Sequence, residues 1–338
     1  MPEKLQLVDA DTLLSTPMEK TLFIVDGLIP QGVSMLCGSG KIGKSWLMLW
    51  LGIRVAQGLP LWELPTHQSD VLYLCLEDTR VRIQNRLYQL VDEAPPGLRF
   101  ATMCGKLGCG LEEQIIDTLN DYPKTKLIII DTLQKVRDSR SVAGKNGMYA
   151  NDYDDISTVK QIADRFKIAI VLVHHLRKLK DSADPFNEVS GSTGITGAAD
   201  TNFILKRRRG EETATLLVNG RDVEYQQFTL RFENQVWQMM EHKDSAELHR
   251  EEIPQFLFRL VDFLKDKPEW IGTATELLSA MGETETSPNL VTKILGRFAG
   301  EVLAPVGIEY RTKRTGQSRL MRFKKSDSND DNDSNPAI

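Results

Sequence analysis

Short apolar runs alternate with amphipathic stretches from Val33 to about Met240, and that alternation predicts an α/β unit with a largely parallel sheet. The runs are VSMLC (33–37), VLYLCLE (71–77), KLIIID (126–131), IAIVLVHH (168–175) and TNFILK (201–206). Between the first of them fall helical patterns over Ser45–Ala56 and Thr79–Val91. Two later runs, TATLLVNG (213–220) and QVWQMM (235–240), predict an antiparallel extension at one edge. Residues 1–30 are a lead-in of mixed pattern, so the predicted α/β domain spans 31–240.

After Met240 the pattern changes. EHKDSAELHREEI carries no apolar face and reads as a linker or exposed helix over 241–253. Residues 254–325 then predict helices over Gln255–Lys265, Thr273–Met281 and Pro288–Gly300, followed by YRTKRTGQSRLMRF. That last piece is two alternating arms around Thr315–Gly316, a hairpin signal. Three helices followed by a basic hairpin predict a small winged helix-turn-helix domain. Its third helix would turn Asn289, Thr292, Lys293 and Arg297 outward, and its wing would present Arg311, Lys313, Arg314 and Arg319. The tail, 326–338, has four aspartates and no base and reads as disordered.

Composition narrows the class. Of 338 residues, 41% are apolar and 26% charged, the balance of a globular protein. No run approaches the eighteen or so apolar residues of a membrane span, and the first residues have neither an apolar core nor a cleavage site. A cytoplasmic protein without a membrane partner is expected. Cys37 and Cys75 fall inside buried strands, while Cys104 and Cys109 lack CxxC spacing or nearby paired histidines. Free thiols are expected, not a zinc site. The net charge of −5 hides an uneven distribution: Lys293–Lys325 holds nine Lys or Arg against two Glu, about +7, the footprint of a DNA contact.

The chemistry begins at GSGKIGKS, which fits G-x-x-x-x-G-K-[ST] over Gly38, Ser39, Gly40, Lys41, Ile42, Gly43, Lys44 and Ser45. A strand pattern enters the motif and a helical pattern leaves it, the context a phosphate-binding loop needs. Its glycines let backbone N–H groups point inward, and the helix N-terminus adds partial positive charge. Lys44 would reach the β/γ-phosphates and the Ser45 hydroxyl would ligate Mg²⁺, so ATP and Mg²⁺ are the expected cofactors. Asp131, closing the run LIII at the end of a buried strand next to the loop, is the candidate second metal ligand. Glu77 ends LYLCLE directly before Asp78; with Asp78 as helix N-cap, Glu77 is left to activate water. Of the two histidines ending IAIVLVHH, only one can face the nucleotide, because alternate strand residues point opposite ways. His174 continues the strand and is the candidate γ-phosphate sensor; His175 turns into the following loop.

This order of motifs resembles the RecA-type P-loop ATPase core. The likeness is nearest to the hexameric RepA-type replicative helicases of plasmids and mobile elements, and more distant to the DnaB type. GLIPQGVSMLCGSGKIGKS, YLCLED and GSTGITGAADTNFILKRRRG carry it, over residues of roughly 20–240. The resemblance implies ATP between subunits of a homo-oligomeric ring, completed by basic residues of a neighbour. Lys206 and Arg208 match the K-x-R pattern best, with Arg207 the rival and Arg221 a weaker candidate. It also implies DNA-contacting loops after the Asp131 and His174 strands. The polar stretches 134–155 and 176–197 stand there, with Lys135, Arg137, Arg140 and Lys145 in the first, Arg177, Lys178 and Lys180 in the second, and Tyr149 and Tyr153 as stacking residues. An ATP-driven DNA motor, a ring-forming helicase of a mobile element, is the function this implies. A non-unwinding DNA-dependent ATPase and a nucleotide-switched DNA-binding replication protein stand beside it.

Overall fold

Strands form where the sequence leaves no polar face to expose. In Leu127–Ile130 and Ile170–Val173 every side chain is buried, and β-branched residues supply most of them, which suits a sheet covered on both sides. The computed structural model of the chain describes residues 7–18, 20–137, 148–177, 181, 184–191, 193–208, 210–314, 316 and 319–325. The chain divides at Ser245/Ala246 into two compact units.

The first unit opens with a short helix, α1 (Ala10–Ser15), capped by the Asp9 carboxylate, and a small antiparallel pair, β1 (Phe23–Val25) and β2 (Ile29–Pro30). There follow β3 (Gly32–Gly38), α2 (Lys44–Gln57), β4 (Asp70–Cys75), α3 (Arg80–Leu90), β5 (Leu98–Ala101), α4 (Leu111–Asp121), β6 (Thr125–Asp131), α5 (Leu133–Val136), α6 (Met148–Phe166) and β7 (Ala169–His175). After a 3₁₀ turn (Pro185–Glu188) come α7 (Thr193–Ala198), β8 (Thr201–Lys206), β9 (Thr213–Gly220), β10 (Gln226–Glu233) and β11 (Val236–Lys243). The strands form one nine-stranded sheet in the order β11-β10-β9-β8-β3-β7-β6-β4-β5. The six from β8 to β5 are parallel, and β9, β10 and β11 extend it antiparallel. It is an α/β fold with a large, mostly parallel sheet.

Each face of the sheet has its own core. Leu127, Ile129, Val171 and Val173 pack toward α2, whereas Ile128, Ile130, Ile170 and Leu172 pack toward α4, α6 and α7. That alternation decides which strand-end residues share a face with the phosphate-binding loop.

Several elements differ from the sequence reading. β6 does not pair with β3, because β7 lies between them. The stretch 134–155 is not one long loop: α6 begins at Met148, and its buried stripe (Ile156, Val159, Ile162, Ala163) starts only after a polar first half that masks the helical period. α4, β5 and β10 went unread. β5 is a four-residue, half-buried edge strand, too short for a period to register. β11 runs to Lys243 and is followed directly by a helix.

That helix, α8 (Ser245–Glu252), opens the second unit, which continues with α9 (Gln255–Leu264), β12 (Glu269–Gly272), α10 (Ala274–Met281) and α11 (Pro288–Val302). A 3₁₀ turn (Ala304–Val306) leads to β13 (Ile308–Arg314) and β14 (Arg319–Lys325), and the three strands pair antiparallel in the order β12-β14-β13. Thr273 caps α10 in a reciprocal box with Glu276, and Pro288 sits at the first position of α11. The core joins Leu257 and Leu260 of α9, Leu277 of α10, Val291 and Leu295 of α11, and Met321 and Phe323 of β14. β12 was not read from sequence; Trp270 on it packs against Phe323 with ring centroids 6.0 Å apart.

Candidate functional site

β3 runs through the centre of the sheet and delivers the chain into the loop 38–43. A Cβ on Gly38 would lie 2.5 Å from the Ile42 side chain and 3.0 Å from the Leu205 carbonyl, so a side chain there would displace Ile42 and crowd the neighbouring strand. Gly43 caps α2 at φ +102°, a region costly for any other residue. Its carbonyl accepts a bond from Trp237 Nε1 at 3.1 Å, and Trp237 is fully buried on β11. The antiparallel extension thus braces the loop from behind. Sequence reasoning found the strand carrying Trp237 but not this support.

Lys44 opens α2 and is buried, its Nζ donating to the Gly38 carbonyl at 2.7 Å and the Ser39 carbonyl at 2.9 Å. Burial pushes its pKa down, against the pull of nearby Asp131. Asp131 ends β6 on the α2 face of the sheet and is also buried. Burial raises its carboxyl pKa, opposed by hydrogen bonds from the Ser45 hydroxyl and from Tyr73, whose OH donates at 3.1 Å. Tyr73 is buried on β4, and the phenol pKa is driven well above its usual value, first by burial and then by Asp131. It was missed in sequence, although alternation along VLYLCLE sets it on the same face as Val71 and Cys75. Cys37, beneath the loop, is a neutral buried thiol pushed up to about 12 by desolvation.

Glu77 lies just beyond β4, exposed, with its Oε1 accepting from the Thr132 hydroxyl at 3.4 Å. The expected cap differs: Thr79, not Asp78, caps α3, its side chain accepting from the Arg82 amide at 3.3 Å. Asp78 is held instead by Arg82 at 2.8 Å and Arg86 at 2.6 Å. Two guanidiniums outcompete a backbone amide for the carboxylate.

The two histidines face opposite ways, and it is His175, not His174, that reaches the cleft. Residues 171, 173 and 175 of β7 share the α2 face, and His175 lines the cleft with Lys44, Ser45, Glu77, Asp131 and Thr132. His174 points the other way and is buried, with Nε2 2.9 Å from the Ser190 carbonyl. Its Nδ1 has no hydrogen-bond partner among the described residues, and desolvation pushes its pKa down. The period of two that admits only one histidine selects the second.

The cleft holds about 350 Å³, and Lys41, Trp46, Arg86, Arg207 and Phe232 complete its walls. Of the basic candidates, Arg207 therefore stands in the cleft of its own chain, its Nε donating to the Glu211 carbonyl at 2.6 Å. Lys206 is paired with Glu188 at 2.9 Å. Arg208 has an 89% exposed side chain with Glu211 3.8 Å away, and Arg221 stands 3.9 Å from Asp200. Arg137 is not a free loop cation: Asp152 and Asp155 both bind it, the latter at 2.7 Å, so it ties α5 to α6. Lys135 and Arg177 are exposed. Arg140, Lys145, Lys178, Lys180, Arg209, Thr315, the Tyr149 side chain and 326–338 lie outside the described residues.

The donor set suits a small hard cation. Mg²⁺ is typically held by one or two carboxylates with the rest of its shell from phosphate and water, and here the Ser45 hydroxyl and the buried Asp131 carboxylate line one cleft at the mouth of the phosphate loop. Ser45 and Asp131 would hold it. All four cysteines are free thiols, and no cluster of three or more His, Cys, Asp or Glu suited to another metal occurs among the described residues.

Residues 1–181, more than half the chain, match the AAA domain. The chain belongs to the AAA domain family. As a P-loop ATPase of that family it has the phosphate loop, Glu77, Asp131 and His175 inside the match; β8–β11 and the second unit lie beyond it. No curated protein matches the chain. Among solved structures, it is similar to the crystal structure of the RadB recombinase at 15% identity, over 63% of this chain and 93% of that one, with a TM-score of 0.44. No helix among the described residues is long and apolar enough to cross a membrane.

Proposed function

We propose that this chain is an ATP-hydrolysing motor that moves along DNA, built on a RecA-type core and acting as a ring of identical subunits, as replicative helicases of mobile elements do. One observation carries the reading: a phosphate loop with its Ser45 hydroxyl, a buried carboxylate held by Tyr73, and an exposed glutamate line one cleft. In this proposal the loop amides from Gly38 to Ser45 and the Lys44 ammonium hold the β- and γ-phosphates. Ser45 and Asp131 would hold Mg²⁺, which would offset phosphate charge. Glu77, oriented by the Thr132 hydroxyl, accepts the proton of the attacking water. His175, in the part first read for His174, donates to the γ-phosphate.

A neighbouring subunit completes the site. Arg208 is the favoured residue for that role, because its guanidinium is exposed, whereas Lys206 is neutralised by Glu188 and Arg207 serves its own cleft. DNA contact along the backbone falls to the segments after β6 and β7. From α9 onward the second unit runs helix–strand–helix–helix–strand–strand, which supports a winged-helix reading, with Asn289, Lys293 and Arg297 exposed on α11 and Arg311, Lys313, Arg314 and Arg319 exposed on the hairpin. Thr292 is half-buried, Arg297 is paired with Glu252 at 2.8 Å and Arg311 with Glu309 at 2.5 Å, so the positive charge offered to DNA rests on Lys293, Lys313, Arg314 and Arg319.

The test is size determination with ATP and Mg²⁺, with and without single-stranded DNA, coupled to strand displacement. Closed rings that separate a forked duplex support the motor. Brisk hydrolysis without displacement by a well-formed oligomer rejects unwinding and leaves a DNA-dependent ATPase.

A further inference from the structure

Taking the cleft as a nucleotide site, we propose that Trp46 and Phe232 form the aromatic platform against which the nucleobase packs, one ring by its face and the other by its edge. A triphosphate seated on the loop engages Lys44 and Ser45 through its outer phosphates. Its α-phosphate and nucleoside then leave past the next residue of the first helical turn, which is Trp46.

Trp46 has no place in the hydrophobic core that buries the rest of that α2 face; it is half-buried and lines the cleft. Phe232 reaches the same wall from β10, with ring centroids 6.3 Å apart and planes at 60°. Two guanidiniums bracket the pair. Arg86 lies 5.2 Å from the Trp46 centroid and is fixed by Asp78, and Arg207 lies 5.6 Å from Phe232 and is fixed by the Glu211 carbonyl. Two half-buried aromatic rings set edge to face, each with a guanidinium over it, make a corner directly beside a phosphate cradle in which a flat heteroaromatic ring stacks on one ring and meets the other edge-on. It fits poorly as a protein-docking surface, because the cleft floor is charged. Neither residue belongs to the phosphate-loop motif, and Phe232 is nearly 190 positions away in sequence, brought close because β11 packs on α2 and β10 pairs with β11.

The experiment compares Mg²⁺–ATP with Mg²⁺–tripolyphosphate by calorimetry on the full chain. Tripolyphosphate shares the loop contacts and lacks the base. For Trp46→Ala and Phe232→Ala the platform predicts a loss of about tenfold in ATP affinity each, within the range known for one stacked base, and no change for tripolyphosphate. Trp46→Phe, which keeps a ring, retains most of the ATP affinity and controls for folding. Equal weakening of both ligands would show that the rings merely support the loop, and it overturns the platform. So does a wild-type chain that binds ATP no more tightly than tripolyphosphate. A chain that binds neither ligand rejects the nucleotide site itself, a result distinct from either of these.

Discussion

Replacing Gly43 by alanine strikes the joint between the phosphate loop and the antiparallel extension. Two costs follow from the geometry. The backbone at φ +102° is strained for an L-residue by about 1–2 kcal/mol. The new Cβ would lie 3.0 Å from Trp237 Cζ2 and Nε1, and that indole is fully buried with nowhere to retreat, an overpacking of about 1–2 kcal/mol that also strains its bond to the Gly43 carbonyl. The sum, about 3 kcal/mol, lowers a urea midpoint by about 1 M for a slope near 3 kcal/mol/M. Gly40→Ala is the control, since a Cβ there meets nothing within 4 Å, and it shifts stability by less than about 0.5 kcal/mol. Urea titration followed by circular dichroism reads both. In a Trp237→Phe background the Gly43→Ala cost falls to its backbone part, a coupling of about 1–2 kcal/mol. Equal midpoints for the two alanine variants, or no coupling to Trp237, would refute the brace.

Glu77→Gln keeps nucleotide binding but lowers kcat at least about a hundredfold, read by steady-state phosphate release; unaltered turnover removes Glu77 from the chemistry. His175→Ala lowers kcat while His174→Gln leaves it nearly unchanged; the opposite ranking would return the sensor role to His174. Because burial depresses the His174 pKa, the unfolded chain takes up a proton below about pH 6.5 that the folded chain refuses. Stability is therefore fully present above that pH and declines on acidification, by at most about 1.4 kcal/mol per pH unit, and His174→Gln flattens that part of the slope in urea titrations at pH 7 and pH 5.

The phosphate loop and the strands that feed the cleft were legible because their signals are local. GSGKIGKS states its own chemistry, and all-apolar runs such as LIII specify strands buried on both faces. Asp131 and Glu77 could be named because each closes such a run. What escaped depends on distance or on competition. Tyr73 bonding Asp131, Trp237 bonding Gly43 and Phe232 beside Trp46 join residues 58, 194 and 186 positions apart, which no window of sequence contains. Asp78 looked like a cap until two arginines one and two turns along α3 claimed it. The two histidines illustrate a subtler limit. Alternation required them to face apart, but which one faces the cleft depends on strand register: β7 pairs His175 with Gly38 and leaves His174 opposite Cys37 on the far face. Arg137 shows the same limit for charge, since its partners lie on a helix whose polar beginning hid it.

The most direct test of the whole account is ATP turnover by the purified full chain with Mg²⁺, with and without single-stranded DNA, beside Lys44→Ala. The account predicts hydrolysis that rises when DNA is added and vanishes in the variant. A well-folded chain that releases no phosphate under either condition, or whose turnover survives Lys44→Ala, would contradict it.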